Sequence, residues 1–206
     1  MNPKLVATVS VIFCLFLTPA NTAFGIKNVP DEYIKKRLKP KADEAKAFCK
    51  SEGLSTEFCI LIDMKRHSGK YRMFVWDFSK NSVTEAALCC HGYGMKSSKE
   101  KPVFSNVIGS HCTALGKYKT GARSYSNWGI NVHYKLHGLE KTNNNAFKRL
   151  IVLHSHTPVS SKEIYPKSMP TEYSKGCPIT DDVMMRKLDD KLKKTKKPVL
   201  LWIFGD

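Results

Sequence analysis

Acidic residues are scarce in this chain. Eighteen Asp and Glu stand against 34 Lys and Arg over 206 residues, a formal net charge of +16. That balance points to an anionic partner: nucleic acid, acidic lipid or an anionic polymer such as cell wall. Apolar runs are scarce too. Beyond the first 17 residues nothing reads as membrane-spanning. There is no internal repeat and no low-complexity segment. The histidines and cysteines follow no compact zinc spacing, which argues against a metal reading of His111, Cys112, His133 and His156. Order-promoting residues are not lacking. Hydrophobic residues make up 42% and charged residues 25%, which excludes a wholly disordered chain. The length suits one domain with a small extension, and it is enough to bury a substantial core.

The start of the chain has a tripartite pattern. A short basic stretch ends at Lys4, an apolar run covers Leu5 to Leu17, and Pro19 and the small residues Ala20 and Ala23 follow. This is the shape of a secretory signal over residues 1–23, and the apolar run is short for a bilayer span. An uncleaved anchor is the competing reading, and it is the only membrane attachment expected. Lys4 is the only charged residue of that segment, so the remainder keeps about +15. Export argues against nucleic acid as the partner of those cations.

Export also alters the meaning of the cysteines. Apart from Cys14 in the leading run there are Cys49, Cys59, Cys89, Cys90, Cys112 and Cys177. An even number in an exported chain suggests three disulfides, in any of 15 pairings. A free nucleophile among them would leave at least one more cysteine unpaired. Cys89 and Cys90 are neighbours and are expected to point to opposite sides of a strand.

Helical material comes first and strands follow. Residues 31–51 carry Tyr33, Ile34, Leu38, Ala42, Ala45 and Phe48 at helical spacing, with Pro40 expected to split them into two helices and Gly53 to end the second. Segments 58–64, 71–78 and 83–94 read as a three-stranded meander. Residues 95–129 are polar and Gly-rich, so loops with short strands are expected there. Segments 130–139 and 150–156 read as strands around a short helix over 143–149. The 22-residue stretch 157–178 holds four prolines and reads as a loop. A loop of that length inside a compact domain is most often functional. A helix is expected from Asp181 to about Lys194 with Thr180 as N-cap, then a core strand over 199–204.

The chemistry gathers at the end of the long loop, Tyr173-Ser174-Lys175-Gly176-Cys177-Pro178. Placed just before a helix N-terminus, Cys177 would have its thiolate favoured by the free N–H groups and the dipole. Gly176 permits close backbone approach, and the N–H groups near Gly176 and Cys177 are candidate oxyanion donors. A cysteine nucleophile needs a base within reach, and His154, ending the apolar run LIVLHSH, is the candidate.

His154-Ser155 followed about 20 residues later by Ser-x-Gly-Cys resembles the signature of the L,D-transpeptidase (YkuD-type) catalytic domain. So do LHGLE (136–140), the Asn run 143–145, FKRLIVLHSH (147–156), FCILIDM, HSGKYRMFVWDF, FSNVIGSHC (104–112) and LGKYKTG (115–121). The resemblance covers roughly residues 45–206 and is carried by the order of the segments. It implies a mainly β fold with flanking helices, a sandwich-like catalytic domain over 58–206 behind a helical extension over 24–57. It implies Cys177 as nucleophile, His154 as general base, and Ser155 as the residue whose backbone carbonyl orients that histidine. Gly176 would help shape the oxyanion site. His137, Tyr173, Ser174 and Lys175 are the candidate substrate contacts.

The family acts on peptidoglycan stem peptides. The cysteine expels the terminal D-amino acid, and an amine of another stem resolves the thioester as a 3→3 cross-link. Water as acceptor would make the protein an L,D-carboxypeptidase. No metal or organic cofactor is implied. A monomer in the periplasm or envelope of a bacterium is expected, with stem peptides and anionic wall polymers as partners. Two departures stand out: many members carry His where this chain has Lys175, and many follow the cysteine with an aliphatic residue and then Arg or Asn, where Pro178-Ile179 stand here. A third alternative is a catalytically silent, basic wall-binding module with Cys177 tied in a disulfide.

Overall fold

Two runs are apolar at every position, FCILI (58–62) and LLWIF (200–204). A computed structural model, which describes residues 29–206, places them side by side as the parallel centre of one sheet. The strands are β1 (Phe58–Asp63), β2 (Met73–Asp77), β3 (Ser82–Ala87), β4 (Gly116–Tyr125), β5 (Val132–Gly138), β6 (Val152–Ser155), β7 (Ile179–Thr180) and β8 (Leu200–Phe204). Their order across the sheet is β3-β2-β1-β8-β4-β5-β6-β7. The proposed signal segment 1–23, and residues 24–28, lie outside the described residues.

Continuous apolar runs arise where both faces of a strand are buried. Phe58, Ile60 and Ile62 of β1 and Leu201 and Ile203 of β8 point into one core. Cys59 and Leu61, and Leu200, Trp202 and Phe204, point into the other. By contrast β5 alternates. Val132, Tyr134 and Leu136 are buried, while His133, Lys135 and His137 between them are partly exposed. The expected meander is present, with β1–β2 and β2–β3 antiparallel. Beyond β3 the chain continues to Cys90, whose N–H donates to the Ile179 carbonyl at 2.8 Å. That bridge brings the two outer edges of the sheet together and curls it into a nearly closed barrel. Cys89 faces the inner core and Cys90 the outer one.

Helices cover both layers. On the outer face α1 (Asp31–Tyr33), a π turn (Ile34–Leu38) and α2 (Lys39–Ser51) form one continuous rod. The expected break at Pro40 does not occur. Pro40 lies in the first turn of α2, and the turn before it widens so that the Lys39 N–H reaches the Ile34 carbonyl. The wider turn accommodates a residue that cannot donate to the helical ladder. Leu38, Ala42, Ala45 and Cys49 bury the rod against the sheet. Arg37 grips the buried Asp63 at the end of β1 with two hydrogen bonds of 2.8 and 3.0 Å. Gly53, at φ +64, ends the rod as expected, and the Leu54 N–H returns to the Cys49 carbonyl at 2.9 Å.

On the inner side α3 (Asp182–Leu192) packs Met184, Met185, Leu188 and Leu192 into the core. Its N-cap is Asp181, whose carboxylate accepts the Met184 N–H at 2.9 Å, while Thr180 belongs to β7. Two other expectations are corrected. Residues 143–149 form successive turns rather than a helix. Residues 95–129 contain the ten-residue β4, which pairs with both β5 and β8. The long loop before β7 is as expected.

Candidate active site

The loop that ends at Cys177 is shaped by Ser174. Its hydroxyl donates to the Cys177 carbonyl at 2.7 Å and accepts the Gly176 N–H at 3.0 Å. The Ser174 carbonyl accepts the Tyr93 N–H at 3.0 Å. Ser174 is fully buried, so it builds the turn and does not line the cleft. Gly176 has φ +109, and a Cβ there would sit 2.5 Å from the Cys112 carbonyl oxygen. Backbone strain and lack of room both require glycine. The result is a partly exposed Cys177 presented beside β6, where its sulfur accepts the Val152 N–H at 3.4 Å.

His154 sits on β6 in register with Ile179 of β7, two residues after Cys177. Its Nδ1 lies 2.9 Å from the Ser155 carbonyl. A carbonyl only accepts, so Nδ1 carries the proton and Nε2 keeps its lone pair. Ser155 also takes part through its hydroxyl, which accepts the Ile130 N–H at 3.1 Å and holds the 126–130 turn against β6. Burial pushes the His154 imidazole below its ordinary pKa, opposed in part by its hydrogen bond to the Ser155 carbonyl. It is therefore neutral at pH 7, the state a base requires.

Cys177 and His154 line one cleft of about 840 Å³. Tyr173 and Lys175 line it as well, and the Tyr173 ring meets His156 edge-on at 4.8 Å. Trp128, on the other side of His156, completes an aromatic wall. Cations dominate the rim: Lys148, Arg149 and Lys175 face a single carboxylate, Glu172. His137 is not among the cleft residues. It stacks on Phe147 at 5.2 Å further along β5. Residue 137 shares a face with His133, which does line the cleft, but lies too far along the strand to reach it.

Two electrostatic expectations are also revised. Cys177 is not at a helix N-terminus: β7 intervenes, and α3 is capped by its own Asp181. Burial pushes the thiol above its ordinary pKa, opposed by the Val152 N–H and by the charge of Arg149. At rest Cys177 is thus a thiol, and to act as a nucleophile it would have to hand its proton to a base. Nor is the Gly176 N–H an oxyanion donor, because Ser174 already holds it. The Cys177 N–H, by contrast, has no hydrogen-bond partner among the described residues.

All six described cysteines are free thiols, which overturns both the three-disulfide expectation and the idea of Cys177 locked in a disulfide. Five are buried, and desolvation pushes Cys89 and Cys90 up to about 12 and Cys49 to about 11. Among the described residues no group of three or more His, Cys, Asp or Glu is arranged to hold a metal ion. Arg149 and Trp128 are cleft residues that the sequence did not single out, and His133, weighed there only as a metal ligand, also lines the cleft. Arg149 precedes the apolar β6 run, and Trp128 stands in a polar turn-rich stretch, so neither has a local pattern to mark it.

No curated protein matches the sequence. Among solved structures, the helical cell shape determining protein Pgp2 of Campylobacter jejuni is similar in its K307A mutant form at 9% identity and a TM-score of 0.48, with 82% of this chain and 56% of that one covered. The Pgp2 structure without that substitution gives 11% identity and a TM-score of 0.44, covering 78% and 55%. The chain thus spans just over half the length of these proteins. An L,D-transpeptidase (residues 123–326) from Xylanimonas cellulosilytica gives 9% identity and a TM-score of 0.39, covering 77% and 68%. The model of the L,D-transpeptidase catalytic domain family matches residues 32–202, from the N-terminal helix to the last strand, and the chain belongs to that family.

Proposed function

We propose that the protein is an exported cysteine acyltransferase acting on peptidoglycan stem peptides in the bacterial periplasm or envelope. One observation carries the reading. Cys177 and His154 share a cleft, and His154 is fixed by the Ser155 carbonyl so that the Nε2 lone pair is left to accept a proton. His154 takes the thiol proton as Sγ attacks the carbonyl of the third stem residue. The Cys177 N–H supports the developing oxyanion. Collapse of the intermediate breaks the amide bond, and the departing D-amino acid takes the proton from His154 as its amine leaves. An amine of a second stem then attacks the thioester, giving a 3→3 cross-link and restoring the thiol. Water in that step would give L,D-carboxypeptidase activity. The cationic rim supports a carboxylate-bearing donor.

The test is intact-mass analysis with a stem tetrapeptide. The wild type is expected to gain the acyl mass with loss of the terminal amino acid, and Cys177→Ala to gain nothing while keeping its fold. Acylation of the alanine variant would refute the reading. Products formed with and without an added amine distinguish the two acceptors.

A further inference from the structure

The position two residues after the nucleophile, where many members of the family carry Arg or Asn, holds Ile179 in this chain. Ile179 is 1% exposed and paired in β7, so it brings only an apolar surface to the cleft, with no charge or hydrogen-bonding side chain. A guanidinium nevertheless stands beside Cys177, from another element. Arg149 ends the turn before β6 and lines the cleft. Its Nη1 donates to the Ser105 carbonyl at 3.0 Å, and its Nη2 donates to the Cys112 carbonyl and, at 3.4 Å, to the Ser110 hydroxyl. A Cβ on Gly176 would lie 3.0 Å from Nη2, so the guanidinium packs against the backbone that carries the nucleophile.

All three acceptors are neutral, and Arg149 makes no ion pair among the described residues. Its charge is therefore not cancelled by a neighbour. The fork joins three points of the 105–112 segment, and the Cys112 carbonyl it holds is the atom against which Gly176 packs. With no helix N-terminus at Cys177 and a thiol that burial disfavours as an anion, the Arg149 guanidinium is the charge that favours the thiolate, and three hydrogen bonds hold it in place.

We propose that Arg149 is the positioning residue of the nucleophile: it pins the 105–112 segment beneath Gly176–Cys177 and sets a permanent positive charge beside the sulfur. The attack step rests on the acyltransferase reading above, whereas the charge effect on the thiol does not. The other ionisable groups around the thiol are His154 on β6 and His156 just beyond it, His133 on β5, Tyr118 and Tyr125 on β4, His111 on the 105–112 segment, Lys148 on the turn, and Glu172, Tyr173 and Lys175 on its own loop. Of these, Lys148, Glu172 and Lys175 are exposed and screened by solvent.

The experiment measures the rate of Cys177 alkylation by iodoacetamide against pH, alongside acylation by a stem tetrapeptide, in the full chain. Arg149→Gln removes the charge and is expected to move the alkylation midpoint up by about one pH unit, roughly tenfold slower at pH 7. Arg149→Lys keeps the charge but cannot span three acceptors. Its alkylation profile is expected to stay close to wild type while acylation falls about tenfold or more. A merely structural role would not separate the two variants in this way. An Arg149→Gln profile superimposable on wild type would overturn the charge effect, and an Arg149→Lys variant that acylates at the wild-type rate would overturn the positioning. If the Gln variant does not fold, the Lys variant decides. A wild type that alkylates as described but is never acylated would refute the acyltransferase reading while leaving the effect on the thiol standing.

Discussion

The β1–β8 centre of the sheet and its β6–β7 edge are built by opposite means. At the centre, residues such as Ile60, Leu61, Leu201 and Ile203 are fully buried on both faces, and what they contribute is apolar area removed from water. At the edge, the His154 ring is held by one carbonyl, the Ser174 hydroxyl makes two hydrogen bonds and the Cys177 sulfur accepts the Val152 N–H. Those bonds fix geometry more than they add stability, since each is worth only about 1 kcal/mol net. The comparison teaches where damage should appear: changes at the centre should cost stability without touching the chemistry, and changes at the edge the reverse.

The largest expected effect tests the edge. His154→Gln removes the base, and acylation should fall by roughly 10²- to 10⁴-fold with little change in melting temperature. Single-turnover acylation followed by mass and a thermal melt check both halves. A variant that loses stability and activity together would erase the contrast. At the centre, Leu201→Ala opens a cavity beside Ile60 and should cost about 2–5 kcal/mol, with acylation per folded molecule unchanged. Denaturant titration gives the first quantity and active-site counting the second.

A third prediction concerns the segment that joins the two regions. His91 accepts a hydrogen bond from the buried Arg72 at 2.9 Å through Nδ1, so Nε2 carries the proton and donates to the Ser98 carbonyl at 2.8 Å. Protonating Nδ1 would set two donors against each other. Burial and then the Arg72 charge push His91 down to about 4. The folded pKa lies below the unfolded value near 6.5, so the unfolded chain binds more protons as pH falls between the two. Stability should be full above about pH 6.5 and decline toward pH 4, by on the order of 3 kcal/mol from this group. Unfolding free energies at pH 7 and pH 4 test this, and a His91→Gln variant should show a flatter dependence. The smallest effect belongs to His137→Ala. Outside the cleft, it should leave acylation unchanged and lose at most about 1 kcal/mol with the Phe147 stack. A marked fall in acylation would return His137 to the site.

Legibility in the sequence followed the same division. The β1 and β8 runs could be read directly because burial on both faces leaves no polar interruption. The sequence points only to short strands in the region of β4, because Tyr118 is its main buried apolar residue and it bends at an irregularity between Thr120 and Arg123. Its pairing with β8 and β5 makes it a strand, and pairing partners are not local information. The turns at 143–149 were misread because hydrogen-bonded turns and a short helix share their residue preferences.

By itself, the sequence determined which segments must be buried, which follows from residue type, and the order of its segments along the chain carried the resemblance that pointed to Cys177 and His154 together. Tertiary structure alone decided that β7 and the Asp181 cap separate Cys177 from the helix dipole, that Ser174 takes the Gly176 N–H, that His137 falls outside the cleft, and that Arg149 stands against the nucleophile's backbone. Each of these depends on a distance between groups remote in sequence, and electrostatics and hydrogen bonding act over distances of that kind.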